Sequence, residues 1–222
     1  MIVTLDGPAG AGKSTAARAL AARLGWCYMD TGAMYRTVAL VALERGVPLD
    51  DGPLVAQLAE RLAIEFRDGR VLADGRDVSA EIRTERVTAA TRPVADAPPV
   101  RAALKRVQRR MALGLDLVTE GRDQGSEVFP DAEVKVFLTA SAAERARRRH
   151  AEEVALGRES SLEAVAREQD RRDEGDRTRP VGALRTAEDA VVIETDGLSR
   201  DQVVDRLVAL VQARCGAGGS RS

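Results

Sequence analysis

Two cysteines, one histidine, three lysines and 3% aromatic residues are all that this 222-residue chain carries of those types. Cys27 and Cys215 stand far apart and show no metal-ligand spacing, so free thiols are expected, with Cys27 in the core. So few aromatic rings argue against a base-stacking surface for nucleic acid. A net charge of −1 gives no bulk attraction to nucleic acid or to an anionic membrane. No apolar run approaches the roughly 20 residues that span a bilayer. The first apolar stretch begins at residue 2, which leaves no room for a signal peptide, and a cytoplasmic location is expected. His150 follows a run of arginines and is read as a solvated helix residue without a role. With lysine confined to Lys13, Lys105 and Lys135, arginine is the general cation, and any positive charge that matters must be local.

What is present is 44% hydrophobic residues, enough for one substantial α/β domain with an insertion. The most informative stretch is Gly7-Pro8-Ala9-Gly10-Ala11-Gly12-Lys13-Ser14-Thr15, directly behind the apolar Ile2-Val3-Thr4-Leu5. It fits the pattern of a phosphate-binding loop set between a strand and a helix, here Ser14 to Leu24. Its glycines let several backbone N–H groups point inward around a phosphate, and the helix N-terminus adds its positive end. Lys13 then meets the terminal phosphates and the Ser14 hydroxyl faces a magnesium ion. The sequence therefore implies binding of a nucleoside triphosphate.

Further strands are expected at Trp26–Met29, Leu115–Thr119, Val134–Leu138 and Ala190–Ile193, separated mostly by helices. That texture is a five-stranded parallel sheet covered on both faces. Between Leu49 and Pro99 the texture changes. A helix from Pro53 to Leu62 precedes a hairpin, Ile64 to Leu72, turning at Asp68-Gly69. Helices are expected at Ala33–Arg45 and Val100–Leu113. Ser141-Ala142-Ala143-Glu144, Ser160-Ser161-Leu162-Glu163 and Ser199-Arg200-Asp201-Gln202 read as capping boxes. The tail, Gly216 to Ser222, is small and polar and is expected to be disordered.

Three further stretches carry chemistry. Asp30-Thr31-Gly32-Ala33-Met34-Tyr35-Arg36 lies where a strand gives way to a helix, the edge at which open α/β sheets bind ligands. Arg36 offers a planar fork for phosphate, although Tyr35 and Arg36 are also compatible with ordinary helix positions. Glu120-Gly121-Arg122-Asp123 follows another strand, and a carboxylate there can hold magnesium through water. The alternative is a salt-bridged turn. Arg172-Asp173-Glu174-Gly175-Asp176-Arg177-Thr178-Arg179 reads either as a mobile segment that closes over phosphates or as a solvated surface.

Together these stretches resemble the bacterial cytidylate kinases, within the nucleoside monophosphate kinase group. Asp77-Val78-Ser79 with Ile82-Arg83-Thr84, and Phe129-Pro130-Asp131-Ala132, complete the likeness, which runs through nearly the whole chain in the family's order. The insertion holding Asp77-Val78-Ser79 separates it from adenylate kinases. The resemblance implies one P-loop kinase domain over 1–222. Within it lie a small antiparallel monophosphate-binding insertion near 50–100 and a short lid near 150–180. It implies transfer of the γ-phosphoryl of MgATP to CMP or dCMP by a monomer. By position, the ATP loop is Gly7, Pro8, Ala9, Gly10, Ala11, Gly12, Lys13, Ser14 and Thr15. Ser14 and Glu120 would serve the metal. Arg36, Arg122 and Arg179 would hold the CMP phosphate, and Arg101 and Asp123 would read cytosine. Arg172 and Asp176 would hold ribose, and Thr31 and Tyr35 would line the pocket, with Lys13, Arg122 and Arg179 catalytic. The family's small hydroxyl near the base aligns with Arg92, whose neighbour is Thr91, so that contact stays open between the two. The family's strand-end acid is often aspartate, and here it is Glu120. Other small-metabolite kinases such as shikimate kinase usually lack an insertion of this texture. A GTP-dependent switch would need an Asn-Lys-x-Asp motif, which is absent.

Overall fold

A computed structural model describes residues 1–155, 157 and 159–218. In chain order the elements are β1 (Ile2–Asp6), α1 (Lys13–Leu24), β2 (Cys27–Asp30), α2 (Thr31–Glu44) and α3 (Gly52–Arg61). Then come β3 (Ile64–Arg67), β4 (Arg70–Ala73), β5 (Arg76–Asp77), α4 (Glu85–Asp96) and α5 (Pro98–Met111). The chain closes with β6 (Leu117–Gly121), β7 (Val134–Thr139), α6 (Ala142–Ala155), α7 (Leu162–Thr178), β8 (Val191–Glu194) and α8 (Arg200–Gly218). Two compact units result, residues 1–28 with 115–222, and residues 29–114.

The first unit is built on a five-stranded parallel sheet in the order β2-β6-β1-β7-β8. In register, β1 sets Val3 against Val118 on one side and against Val134 on the other. Strands buried on both faces read as continuous apolar runs, as these do. Val3, Leu5, Val118, Val136 and Leu138 pack with Ala17 and Leu20 of α1 and Leu207 and Val211 of α8 in one core. The alanine-rich face of α1 lets that helix lie close to the sheet. Cys27 departs from expectation: it is exposed, because it opens β2, the edge strand, where burial starts only at Met29.

In the second unit, β3, β4 and β5 form the expected small antiparallel sheet. The Asp68-Gly69 turn joins Arg67 to Arg70 with both central residues at positive φ (51° and 75°), which matches the twist of a two-residue hairpin. Asp77-Val78-Ser79 pins its end. Ser79 Oγ accepts from Val71 N at 2.9 Å, Asp77 Oδ1 accepts from Ser79 N at 2.9 Å, and Val78 is fully buried. The sequence reading missed α4, whose buried stripe is Val87, Ala90 and Val94 around an internal Pro93. Helices α3 and α5 pack together, as do α2 and α4.

The capping boxes came out unequally. At Ser199 the box is reciprocal, Gln202 N donating to Ser199 Oγ at 3.2 Å and Ser199 N to Gln202 Oε1 at 2.9 Å. At Ser141 only the hydroxyl half forms, because Glu144 turns to Arg147 and Arg148. The third box slips by one residue: Ser161, not Ser160, caps α7, with Ala164 N donating to its hydroxyl at 3.2 Å. Of the tail, residues 216–218 finish α8, and 219–222 lie outside the described residues.

Candidate active site

In the first unit the segment Gly7 to Gly12 joins β1 to α1. Gly7 has φ 147°, and a Cβ there would stand 2.0 Å from Leu138 O, so no other residue fits where the loop leaves the sheet. Lys13 begins α1, is 5% exposed, and donates from Nζ to Pro8 O at 2.8 Å. Burial pushes its ammonium down to about 7, the Arg122 charge adds to this, and Glu120, Asp6 and Asp176 oppose it. Ser14 Oγ donates to Glu120 Oε1 at 2.7 Å, which brings together the two residues assigned to the metal. Among the described residues no group of three or more His, Cys, Asp or Glu could cage an ion. Magnesium needs no such cage: it keeps several waters and takes one or two carboxylates plus substrate phosphates. A hydroxyl beside a carboxylate is a hard-oxygen donor set and fits that ion.

A second cluster in this unit is an arginine–aspartate chain. Arg122 Nε meets Asp176 Oδ2 at 2.6 Å, and Arg179 Nη2 meets Asp176 Oδ1 at 2.9 Å. Burial alone would raise the Asp176 carboxyl, but Arg122, Arg179 and Arg172 hold it below the usual carboxylate range. Burial likewise works against the Arg122 charge and loses to Asp176, so that guanidinium is raised. Three arginines around one carboxylate leave a net positive group at the end of α7, suited to phosphate.

Asp6, which the sequence reading did not single out, joins the phosphate loop to the Arg122-Asp123 segment. Its carboxylate accepts from Gln124 N at 2.9 Å and Gly125 N at 2.7 Å. These N–H groups open a single π-type turn, Gln124–Val128, in which Val128 N bonds Asp123 O at 3.0 Å. Such turns recur at functional sites. Burial raises Asp6 from 3.8 to about 6, against the pull of its two backbone donors. The folded state therefore binds an extra proton between these values. Stability from Asp6 is full below the unfolded value and fades as pH rises through 6. Relative to Asp6→Asn, wild type should lose about 1.4 kcal/mol of unfolding free energy between pH 5 and pH 7.5, at 1.36 kcal/mol per unit. Denaturant titration of both proteins at the two pH values measures it; a constant difference would contradict the assignment.

The remaining predicted residues lie on the second unit. Thr31, 4% exposed, begins α2, whose N-cap Asp30 accepts from Ala33 N at 2.8 Å. Tyr35 and Arg36 follow on the same helix, half-buried. Arg101 on α5 is buried, donates from Nη1 to Ala95 O at 3.1 Å, and sits over the Tyr35 ring with Cζ 5.4 Å from its centroid. That is cation–π distance, and it fixes the guanidinium plane. Of the pair left open, Arg92 is exposed beside Asp96, while the Thr91 hydroxyl donates back to Val87 O at 2.7 Å.

The family model described as Cytidylate kinase matches residues 3–213. The cytidylate kinase of Rhodopirellula baltica is 48% identical over 222 residues, covering 100% of this chain and 97% of its own length. That of Carboxydothermus hydrogenoformans is 46% identical over 215 residues, covering 95% of this chain and 97% of its own. A solved gluconokinase from Sinorhizobium meliloti 1021 superposes with a TM-score of 0.52 at 16% identity, covering 99% of this chain and 97% of that one. The last is a likeness of fold alone. A match that spans nearly the whole length, with relatives almost half identical from end to end, settles the family: this chain belongs to the cytidylate kinases.

Proposed function

We propose that this chain transfers the γ-phosphoryl group of MgATP to CMP or dCMP, giving ADP and CDP or dCDP. The observation that carries this reading is the gathering of a phosphate loop, a buried lysine and an arginine–carboxylate chain in one unit: Lys13 on Pro8 O, Ser14 on Glu120, and Arg122 and Arg179 on Asp176. Both substrates are polyanions, so catalysis consists of positioning and charge neutralisation rather than covalent chemistry.

Backbone N–H groups from Gly7 to Thr15 would hold the donor phosphates. Lys13 would exchange its bond to Pro8 O for a phosphate oxygen. When bound beside Ser14 and Glu120, magnesium would neutralise charge between the outer phosphates. Acceptor roles are assigned within each unit by itself. From the first, Arg122 and Arg179 would take the CMP phosphate, Arg172 and Asp176 the ribose, and Asp123 the base edge. From the second, Arg36 would take phosphate, Arg101 would meet the base, and Thr31 and Tyr35 would line its surroundings. A cytoplasmic monomer acting on small nucleotides, without nucleic acid or membrane, goes with this reading. Among the described residues no helix is long and apolar enough to cross a membrane.

The test is ADP release from MgATP with CMP or dCMP, with CDP or dCDP identified chromatographically. Turnover that requires the acceptor and is abolished by EDTA is expected; absence of acceptor-dependent ADP would overturn the reading.

A further inference from the structure

The buried stripe of α7 is Val165, Gln169 and Asp173, spaced four residues apart along one face, and two of the three are polar. A helix docked for stability alone would bury an apolar stripe. Here the docking partner is Arg145 of α6, itself 5% exposed. Gln169 Nε2 donates to Arg145 O at 3.2 Å, and Asp173 Oδ2 lies 2.6 Å from Arg145 Nη1. That approach is an ion pair without hydrogen-bond alignment, for among the described residues neither Asp173 oxygen has a hydrogen-bond partner although the residue is 1% exposed; Gln169 Oε1 also lacks one there. A buried carboxylate without an aligned hydrogen bond, held by the charge of Arg145 against it and that of Arg122 nearby, is a poor stabiliser, and groups left so short of hydrogen-bond partners call for another explanation.

The same arginine holds the phosphate loop. Its Nη1 donates to Ala9 O at 3.0 Å and its Nε to Ala140 O at 3.2 Å, the residue just past the end of β7. In a planar trans peptide the carbonyl and the following N–H point in opposite directions. Fixing Ala9 C=O on Arg145 therefore turns Gly10 N–H to the other side of the loop. Both helices press on Gly10: a Cβ there would stand 2.8 Å from Gln169 Nε2 and 3.1 Å from Arg145 Cβ. One turn beyond Asp173 on α7 comes Asp176, and then Arg179, the pair bonded to each other, with Asp176 also held by Arg122.

We propose that Arg145, with Asp173 and Gln169, is a positioning set that couples the phosphate loop to the arginine-bearing end of α7, so that ATP in the loop tightens binding of the acceptor nucleotide. The set touches neither reacting phosphate; it aligns Gly10 N–H at one end and Asp176 and Arg179 at the other. The proposal rests on the reading that the site joins ATP to CMP, and the test separates the two.

CMP affinity is measured by calorimetry for the full chain, with and without a saturating non-hydrolysable ATP analogue and magnesium. In wild type the analogue is expected to tighten CMP about tenfold, within the usual range for coupled sites. Asp173→Asn keeps the shape and removes the charge; the tightening should shrink to within about twofold, while binary CMP affinity stays within about threefold. Gln169→Leu should show a smaller loss of the same kind, and it carries the test if Asp173→Asn does not fold. Wild type that binds CMP with no coupling, or a folded Asp173→Asn that keeps it in full, overturns the positioning set. Wild type that does not bind CMP at all overturns the underlying reading as well. A structural role alone would lower the melting temperature without changing the coupling ratio.

Discussion

Lys13→Ala is expected to lower kcat/KM for phosphoryl transfer to CMP by about 10³-fold or more, with the protein still folded. The lysine is buried with its ammonium over the loop at Pro8 O, and Arg122, Glu120, Asp6 and Asp176 all act on its charge. Burial holds it near 7, so charging it is costly until an anion arrives. A polyphosphate supplies that anion, and the charge is then worth most in the transition state, where negative charge spreads over the transferring group. Alanine suits the first turn of α1, and the acids left behind keep partners: Glu120 has Ser14, and Asp6 has two backbone donors. Steady-state kinetics and circular dichroism on the variant decide the matter. Near-normal turnover in a folded Lys13→Ala protein would remove the lysine from the mechanism.

Asp123→Asn is expected to collapse the preference for CMP over UMP by about 10² to 10⁴-fold, chiefly through kcat/KM for CMP. Cytosine presents an amino donor at the position where uracil presents an oxygen, and a carboxylate accepts from the first and repels the second. The side chain is buried, 7% exposed, directly before the turn fastened by Asp6. A carboxylate so placed loses discrimination when it becomes an amide that can donate as well as accept. Paired measurements of kcat/KM for CMP and UMP in both proteins test this. An unchanged ratio would assign base selection elsewhere, with Arg101 the first residue to examine.

What could be read from the chain before its structure was known has a physical pattern. Local devices were legible. The phosphate loop announces itself through residue types at fixed spacing, Asp68-Gly69 through its turn geometry, and Ser199 through a partner three residues away. Devices that join distant segments were not. Nothing near Asp6 in sequence shows that it holds the N–H groups of Gln124 and Gly125, more than a hundred residues on. Arg145, in the run of arginines before His150, carried no assignment, yet it is buried between Ala9 and Asp173. A signal did exist in the Val165, Gln169, Asp173 spacing, a helical stripe whose polar members hid it. Helix α4 was missed because Pro93 and two threonines obscure an apolar stripe that tertiary packing rescues. Cys27 was misjudged because composition does not say that β2 is an edge.

The most direct measurement is the ADP-release assay run side by side with CMP, dCMP, UMP, AMP and shikimate as acceptors under MgATP. Strong turnover with CMP and dCMP, and at least about a hundredfold less kcat/KM with the other three, is the expected result. Turnover confined to AMP or shikimate would contradict the proposed acceptor while leaving the phosphate loop and its lysine in place.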